Sequence, residues 1–278
     1  MPCAGQHTSD HQLEIFKEKQ MKLRHLFAII GLSCAVSAQA GVLKELRIGT
    51  DATYEPFEYK APDGKLVGFE IDLANALCAE MQRQCVFVES PWDAIVPSLM
   101  AKKFDMILSG MTVTDERRKK VSFSDKITDI PYRVIVKRGS GMDGSPGSMK
   151  GKKVGVLKGS TEADFAEKYY AKAGATVQRY ESTQDSYLDI ASGRLDAIVG
   201  NLVEMKMGFL TKPEGKPFEF APYEMKDQVI LGYGTGAAMR QNDVKLKTEF
   251  NTALKAVHAN GTYKKIADKY FDFDVYGK

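Results

Sequence analysis

The chain has 278 residues, 44% hydrophobic and 27% charged, with 39 basic residues against 36 acidic ones and a formal net charge of +3. That balance excludes nucleic-acid binding through a basic block, and no Lys/Arg run is interleaved with aromatics. The composition is globular, with length for one large domain or two small ones. Residues 21–40, MKLRHLFAIIGLSCAVSAQA, read as a secretory signal peptide: Lys22 and Arg24 form its basic start and Leu26 to Val36 its apolar run. Ala38-Gln39-Ala40 is its cleavage site, so the mature chain begins at Gly41. The run is too short to span a membrane, and no later stretch reaches ~18 apolar residues. Residues 1–20 carry no pattern, and Met21 reads as the initiator. Cys34 alone suggests a lipid anchor, but Gly31 stands where a larger apolar residue is usual.

Cleavage leaves Cys78 and Cys85 as the only cysteines and His258 as the only histidine. Two cysteines seven apart in an exported chain predict one disulfide; the alternative is two free thiols. With one histidine there is no cluster to ligate a metal, and no cofactor is expected.

Along the mature chain, Glu45 to Thr50 alternates as a strand, and Asp51 to Phe57 follows as a loop. Pro62-Asp63-Gly64-Lys65 is a turn between short strands at 57–59 and 66–68. The spacing of Ile71, Ala74, Leu77, Cys78 and Met81 predicts a helix over 70–81. A strand at 85–89 and a helix at 92–102, shortened or kinked by Pro97, come next. Residues 127–136 are β-rich, 139–148 an exposed loop, 153–157 a buried-type strand, and Ser160 caps a helix to Tyr170. Strands at 176–180, 197–199 and 235–239 alternate with helices at 183–192, 202–210, 243–259 and 262–270. Residues 213–222 read as loop and 228–233 as a connection. Alternating strands and helices predict an α/β fold with mostly parallel sheets.

The stretch Asp105 to Arg118, DMILSGMTVTDERR, carries the chemistry. The strand Met106-Ile107-Leu108 breaks into Ser109-Gly110-Met111-Thr112, and Thr114 caps a helix that holds Arg117. N–H groups, hydroxyls and a guanidinium at a strand end form a carboxylate cradle, because arginine's planar fork matches two carboxylate oxygens. Lys103 to Leu108 is echoed by Arg194 to Val199, which fits two similar lobes facing one cleft.

The segments RIGTDATYEPFEY, LVGFEIDLANALC, PSLMAKKFDMILSGMTVTDERRKKVSFSD, KKVGVLKGST, SGRLDAI and YKKIADKYFDFDVYG, in this order, resemble the periplasmic polar amino-acid solute-binding proteins of ABC importers. The likeness runs from about Gly41 to Lys278, to the lysine/arginine/ornithine- and histidine-binding type. It implies a two-lobed periplasmic-binding-protein fold closing by hinge motion. Lobe one would be 41–128 plus 235–278, lobe two 133–225, with hinges at 129–132 and 226–234. It implies a basic amino acid as ligand, a membrane ABC permease as partner, a monomer, and a periplasmic location.

The resemblance also assigns roles. Arg117 pairs with the α-carboxylate. Thr112, the backbone near Ser109 and Gly110, and Ser160 and Thr161 add hydrogen bonds, with Leu157 at the preceding strand end. Tyr54 and Trp92 flank the side chain, and Asp51 takes its cationic end. Each has a plainer reading: core aromatics for Tyr54 and Trp92, a loop cap for Asp51, a surface helix residue for Arg117. Cys78 and Cys85 fall where basic-amino-acid binders have a disulfide. Two positions depart from the pattern. Asn201 stands where an acidic residue pairs with the α-ammonium, and Glu162 or Glu204 would have to compensate. Gly110 stands where a hydroxyl residue is usual. Both departures lean toward a larger ligand, such as an octopine- or nopaline-like opine. The same fold hosts dehydratases, but one histidine and paired cysteines assemble no Ser/His/Asp or Cys/His set.

Overall fold

A computed structural model describes residues 43–277; the signal peptide, its cleavage site and residues 1–20 lie outside the described residues. The chain opens with strand β1 (Lys44–Thr50), followed by three short strands, β2 (Thr53–Tyr54), β3 (Glu58–Lys60) and β4 (Leu66–Val67), that form a small antiparallel sheet. Gly68 turns the chain from β4 into helix α1 (Phe69–Glu80). Its φ is +134°, and a Cβ there would sit 2.2 Å from the Phe57 carbonyl oxygen, so only glycine fits. Strand β5 (Arg83–Glu89), helix α2 (Trp92–Met100), strand β6 (Met106–Ile107), the one-turn helix α3 (Asp115–Arg118) and strand β7 (Val121–Phe123) complete the first pass. Pro97 lies inside α2, which stops at Met100.

The chain then crosses to a second sheet. It runs through β8 (Tyr132–Lys137), β9 (Lys153–Leu157), α4 (Thr161–Phe165), β10 (Thr176–Tyr180), α5 (Thr183–Ala191), β11 (Ala197–Asn201), α6 (Leu202–Met205) and β12 (Phe218–Phe220). Both α4 and α6 widen into π-helical turns, at 166–171 and 206–210. Helix α7 (Gln228–Leu231) lies on the return path. Strand β13 (Ala238–Arg240) and helices α8 (Val244–Ala259) and α9 (Thr262–Ala267) rejoin the first sheet.

The sheets have strand orders β5-β1-β6-β13-β7 and β10-β9-β11-β8-β12. The expected parallel pairing holds for the strands joined by helices: β1 with β5 and β6, and β9 with β10 and β11. The strands β13 and β8, which adjoin the crossings, pair antiparallel. Two segments read as loop or left unassigned from sequence are strands, Val121–Phe123 and Phe218–Phe220. The second is flanked by Pro217 and Pro222, which hid its alternation; it pairs with β8 at the sheet edge.

Alternation along the strands gives each sheet two buried faces. In the first, Leu46 and Ile48 meet Phe69, Leu73, Leu77, Phe250 and Leu254 on one side, while Ile95, Leu99, Phe104 and Phe123 fill the other. In the second, Val134 and Val136 face Val154, Phe165 and Tyr170, and Ile135 faces Tyr187, Ile190 and Phe209. Each such side chain contributes roughly 1.5–3 kcal/mol on burial. Cys78 and Cys85 form a disulfide joining α1 to β5.

The two crossings lie side by side. Thr128 and Thr235 pair by backbone (Thr235 N–H to Thr128 O, 2.7 Å) and by hydroxyls 2.8 Å apart. Two paired crossings thus join the two sheets, the connection that a hinged two-lobed fold requires.

Candidate functional site

Strand ends of both sheets converge on one cavity. It is lined by Asp51, Thr53, Tyr54, Glu58, Trp92, Ser109, Gly110, Thr112 and Arg117 from the first lobe. Tyr132, Leu157, Ser160, Thr161, Glu162 and Thr183 line it from the crossing and the second lobe. Its free space, counting the open solvent at its mouth, is about 420 Å³.

One end is cationic. Thr114 caps α3 by accepting the Arg117 N–H (3.1 Å), which fixes the start of the helix carrying that arginine. The guanidinium donates to Thr112 O (3.0 Å) and across the cleft to Gly159 O (3.3 Å), and lies 5.4 Å from the centre of the Trp92 ring. Burial pulls its pKa down, and Tyr132, Glu162 and Asp164 push it back up. Tyr132 joins the two sides here: its hydroxyl is 2.5 Å from Thr112 Oγ1 and accepts from Thr161 Oγ1 at 3.2 Å. Burial, with Glu162 nearby, pushes that phenol up to about 12, so it stays neutral. Ser160 accepts from Ala163 N–H (3.1 Å) and donates to Leu157 O (2.7 Å), which locks the first turn of α4 behind Thr161.

The other end is anionic. Asp51 is buried at the end of β1 and accepts from Thr53 Oγ1 (2.8 Å); burial raises its pKa, opposed by that hydrogen bond. Glu58 is fully buried, and one of its oxygens accepts from Ser109 Oγ at 2.7 Å. Its other oxygen has no partner among the described residues. Ser109 Oγ also accepts the Asp51 N–H (2.9 Å). Glu70, behind Glu58, accepts the Gly110 N–H at 2.9 Å. Burial raises both glutamates; Glu70 raises Glu58 further, whereas the Gly110 N–H and Glu58 hold Glu70 down. Tyr54 stacks on Phe57 and lines the cavity, as does Trp92.

Of the ligand-binding residues expected from sequence, Asp51, Tyr54, Trp92, Ser109, Gly110, Thr112, Arg117, Leu157, Ser160 and Thr161 line this cavity. Asn201 does not. It ends β11 and its Oδ1 accepts the N–H groups of Val203 (2.9 Å) and Glu204 (3.3 Å), so the carbonyl oxygen is committed to capping α6. It lines a different cavity beside the crossings, with Asp129 and Asp227. The opening expected beside Gly110 is also absent: a Cβ there would lie 3.2 Å from the Tyr54 ring, and φ is +55°. Gly110 serves the backbone turn and the packing of Tyr54.

Thr53, Glu58, Tyr132 and Thr183 are cavity residues that sequence reasoning missed, and Glu162 was considered only as a substitute. The one usable signal was Glu58, a carboxylate between Phe57 and Tyr59 in a short apolar hairpin. Among the described residues no group of His, Cys, Asp and Glu is placed to hold a metal ion, and no helix is long and apolar enough to cross a membrane. His258 lies elsewhere, stacked on Tyr263.

Residues 46–273 match the sequence pattern of the bacterial extracellular solute-binding proteins, family 3. The chain belongs to that family. As a family 3 solute-binding protein it is 43% identical over 257 residues to an L-arginine-binding protein of Pseudomonas aeruginosa, covering 92% of this chain and 99% of that protein. It is 44% identical over 252 residues to a lysine/arginine/ornithine-binding periplasmic protein of Escherichia coli, covering 91% and 97%. Its fold superimposes on a solved ancestral arginine-binding protein bound to arginine with a TM-score of 0.76 at 34% identity, covering 83% of this chain and 99% of that one.

Proposed function

We propose that this solute-binding protein captures a basic amino acid (arginine, lysine, ornithine or histidine) and delivers it to a membrane ABC importer. The observation that carries the reading is the polarity of the cavity. Arg117 stands at one end, and the buried carboxyls of Asp51 and Glu58, one oxygen unpartnered, stand at the other. A free basic amino acid has the same polarity: a carboxylate for Arg117, an apolar stem for the Tyr54 and Trp92 rings, and a terminal cation for the acidic end. A buried unpartnered carboxyl oxygen is costly to leave unmade, so the site gains most from a ligand that donates to it.

The names of the relatives support the substrate class and a periplasmic location, reached after cleavage behind Ala40. The lobes, 41–128 with 235–278 and 133–225, would close about residues 129–132 and 226–234 as a monomer. The protein acts as a binder and not as an enzyme.

The test is thermal unfolding of ligand-stripped protein with arginine, lysine, ornithine, histidine, glutamine, glutamate, octopine and nopaline. A basic amino acid at ~100-fold over its Kd adds about 2.7 kcal/mol, a rise of several degrees. A rise with opines alone replaces the reading by the opine one. No rise at all, with turnover of a prephenate-like acid, replaces it by the enzyme.

A further inference from the structure

The cavity's carboxylate end contains a charge that the reading above leaves without a task. Glu162 lines the cavity, is 5% exposed, and forms no ion pair among the described residues. Its carboxylate accepts a long hydrogen bond from Thr161 Oγ1 (3.3 Å), and its own backbone N–H and the Ser160 hydroxyl also favour its ionised form. Burial holds its pKa above the ordinary range, and the one cation that counters this is Arg117.

We propose that Glu162 receives the α-ammonium of the bound amino acid and is the residue that makes the site demand a free α-amino group. The proposal rests on the amino-acid reading of this cavity. The α-nitrogen and α-carboxylate share one carbon, so the acceptor for the first must stand beside the donors for the second. Arg117, Thr112 and Thr161 mark that end, tied together through Tyr132, and Glu162 follows Thr161 directly.

The other carboxyls are engaged or displaced. Asp51 and Glu58 belong to the Ser109 end. Glu204 is buried behind the lining, with one oxygen taken by the Tyr187 hydroxyl. Asn201 has no charge, and its carbonyl oxygen caps α6. An ammonium reaching Glu162 would pair a buried carboxylate and complete a zwitterion clamp with Arg117.

The experiment is calorimetric titration of the ligand-stripped protein and its Glu162→Gln variant with arginine and with 5-guanidinopentanoic acid, which is arginine without the α-amino group. The parent should prefer arginine by about 10- to 100-fold. Glu162→Gln should erase that preference by weakening arginine alone, leaving the analogue within about threefold. Should the glutamine variant fail to fold, Glu162→Asp should narrow the preference. A preference left unchanged by the substitution overturns the assignment, as does an equal loss for both ligands, the mark of a merely structural role. A parent that binds no basic amino acid overturns the underlying reading and the assignment with it, an outcome distinct from both.

Discussion

Lys158 Nζ stands 3.0 Å from the Asp93 carboxylate, on the opposite side of the cleft. The same ammonium is 2.7 Å from Glu181 on its own lobe. The lysine therefore links a helix of the first lobe to the strand ends of the second, and Lys212 with Glu55 does the same at 3.2 Å.

An exposed pair of this kind is worth under about 1 kcal/mol, so Lys158→Ala should weaken ligand binding by roughly two- to fivefold. Its effect should shrink as salt is added, because exposed charges are screened. Titration of parent and variant at low and high salt checks both statements.

Among the described residues Arg117 is the one cation lining the cavity. Removing one partner of a buried charge pair costs about 2–5 kcal/mol, so Arg117→Ala should lower amino-acid affinity by at least ~100-fold. The ligand-free melting temperature should move by only a few degrees, since the arginine packs no core. Near-native affinity in this variant would remove the carboxylate end from the account.

Glu204 provides a pH dependence with a definite sign. Burial raises its pKa to about 8 in the folded protein, against an ordinary value near 4.5. Between those values the folded chain holds a proton that the unfolded chain has lost, so stability falls as pH rises from about 4.5 to about 8. Glutamine preserves the acceptor for Tyr187 and cannot ionise. Glu204→Gln should leave stability at pH 5 nearly unchanged and make the protein more stable than the parent at pH 8, by about 1–3 kcal/mol. Melting curves across this range would show parallel lines if the group were already ionised in the fold.

The Glu58–Glu70 pair predicts proton release. Burial of both, with the Glu70 charge beside Glu58, keeps this pair from ionising fully in the ligand-free cavity. A cation at the free Glu58 oxygen favours the ionised form. Binding of arginine near pH 7 should therefore expel a fraction of a proton, roughly up to one. Calorimetry in two buffers of different ionisation enthalpy reads this directly; equal heats in both would contradict it.

Much of this was legible in the sequence because it is local. Thr114 and Ser160 announce their caps, and the strands at 44–50 and 153–157 read from pattern alone. Asp51, Ser109 and Leu157 follow as strand-end residues. The remainder depends on partners distant in the chain. Glu58 is buried by contact with Ser109, 51 residues away, and Tyr132, just after Pro131, reads as linker until the crossing brings it to Thr112. Asn201 depends on its near neighbours instead. Its position was inferred from the family pattern, whereas its side chain is held by two N–H groups two and three residues on.

The most direct test is calorimetric titration of ligand-stripped protein with arginine and with citrulline, which keeps the α-carbon, the stem and the shape but replaces the guanidinium by a neutral ureido group. A cavity closed at one end by Asp51 and Glu58 should bind arginine at least ~100-fold more tightly. Equal affinities, or a preference for citrulline, would show that the acidic end does not read a cation and would contradict the account at its centre.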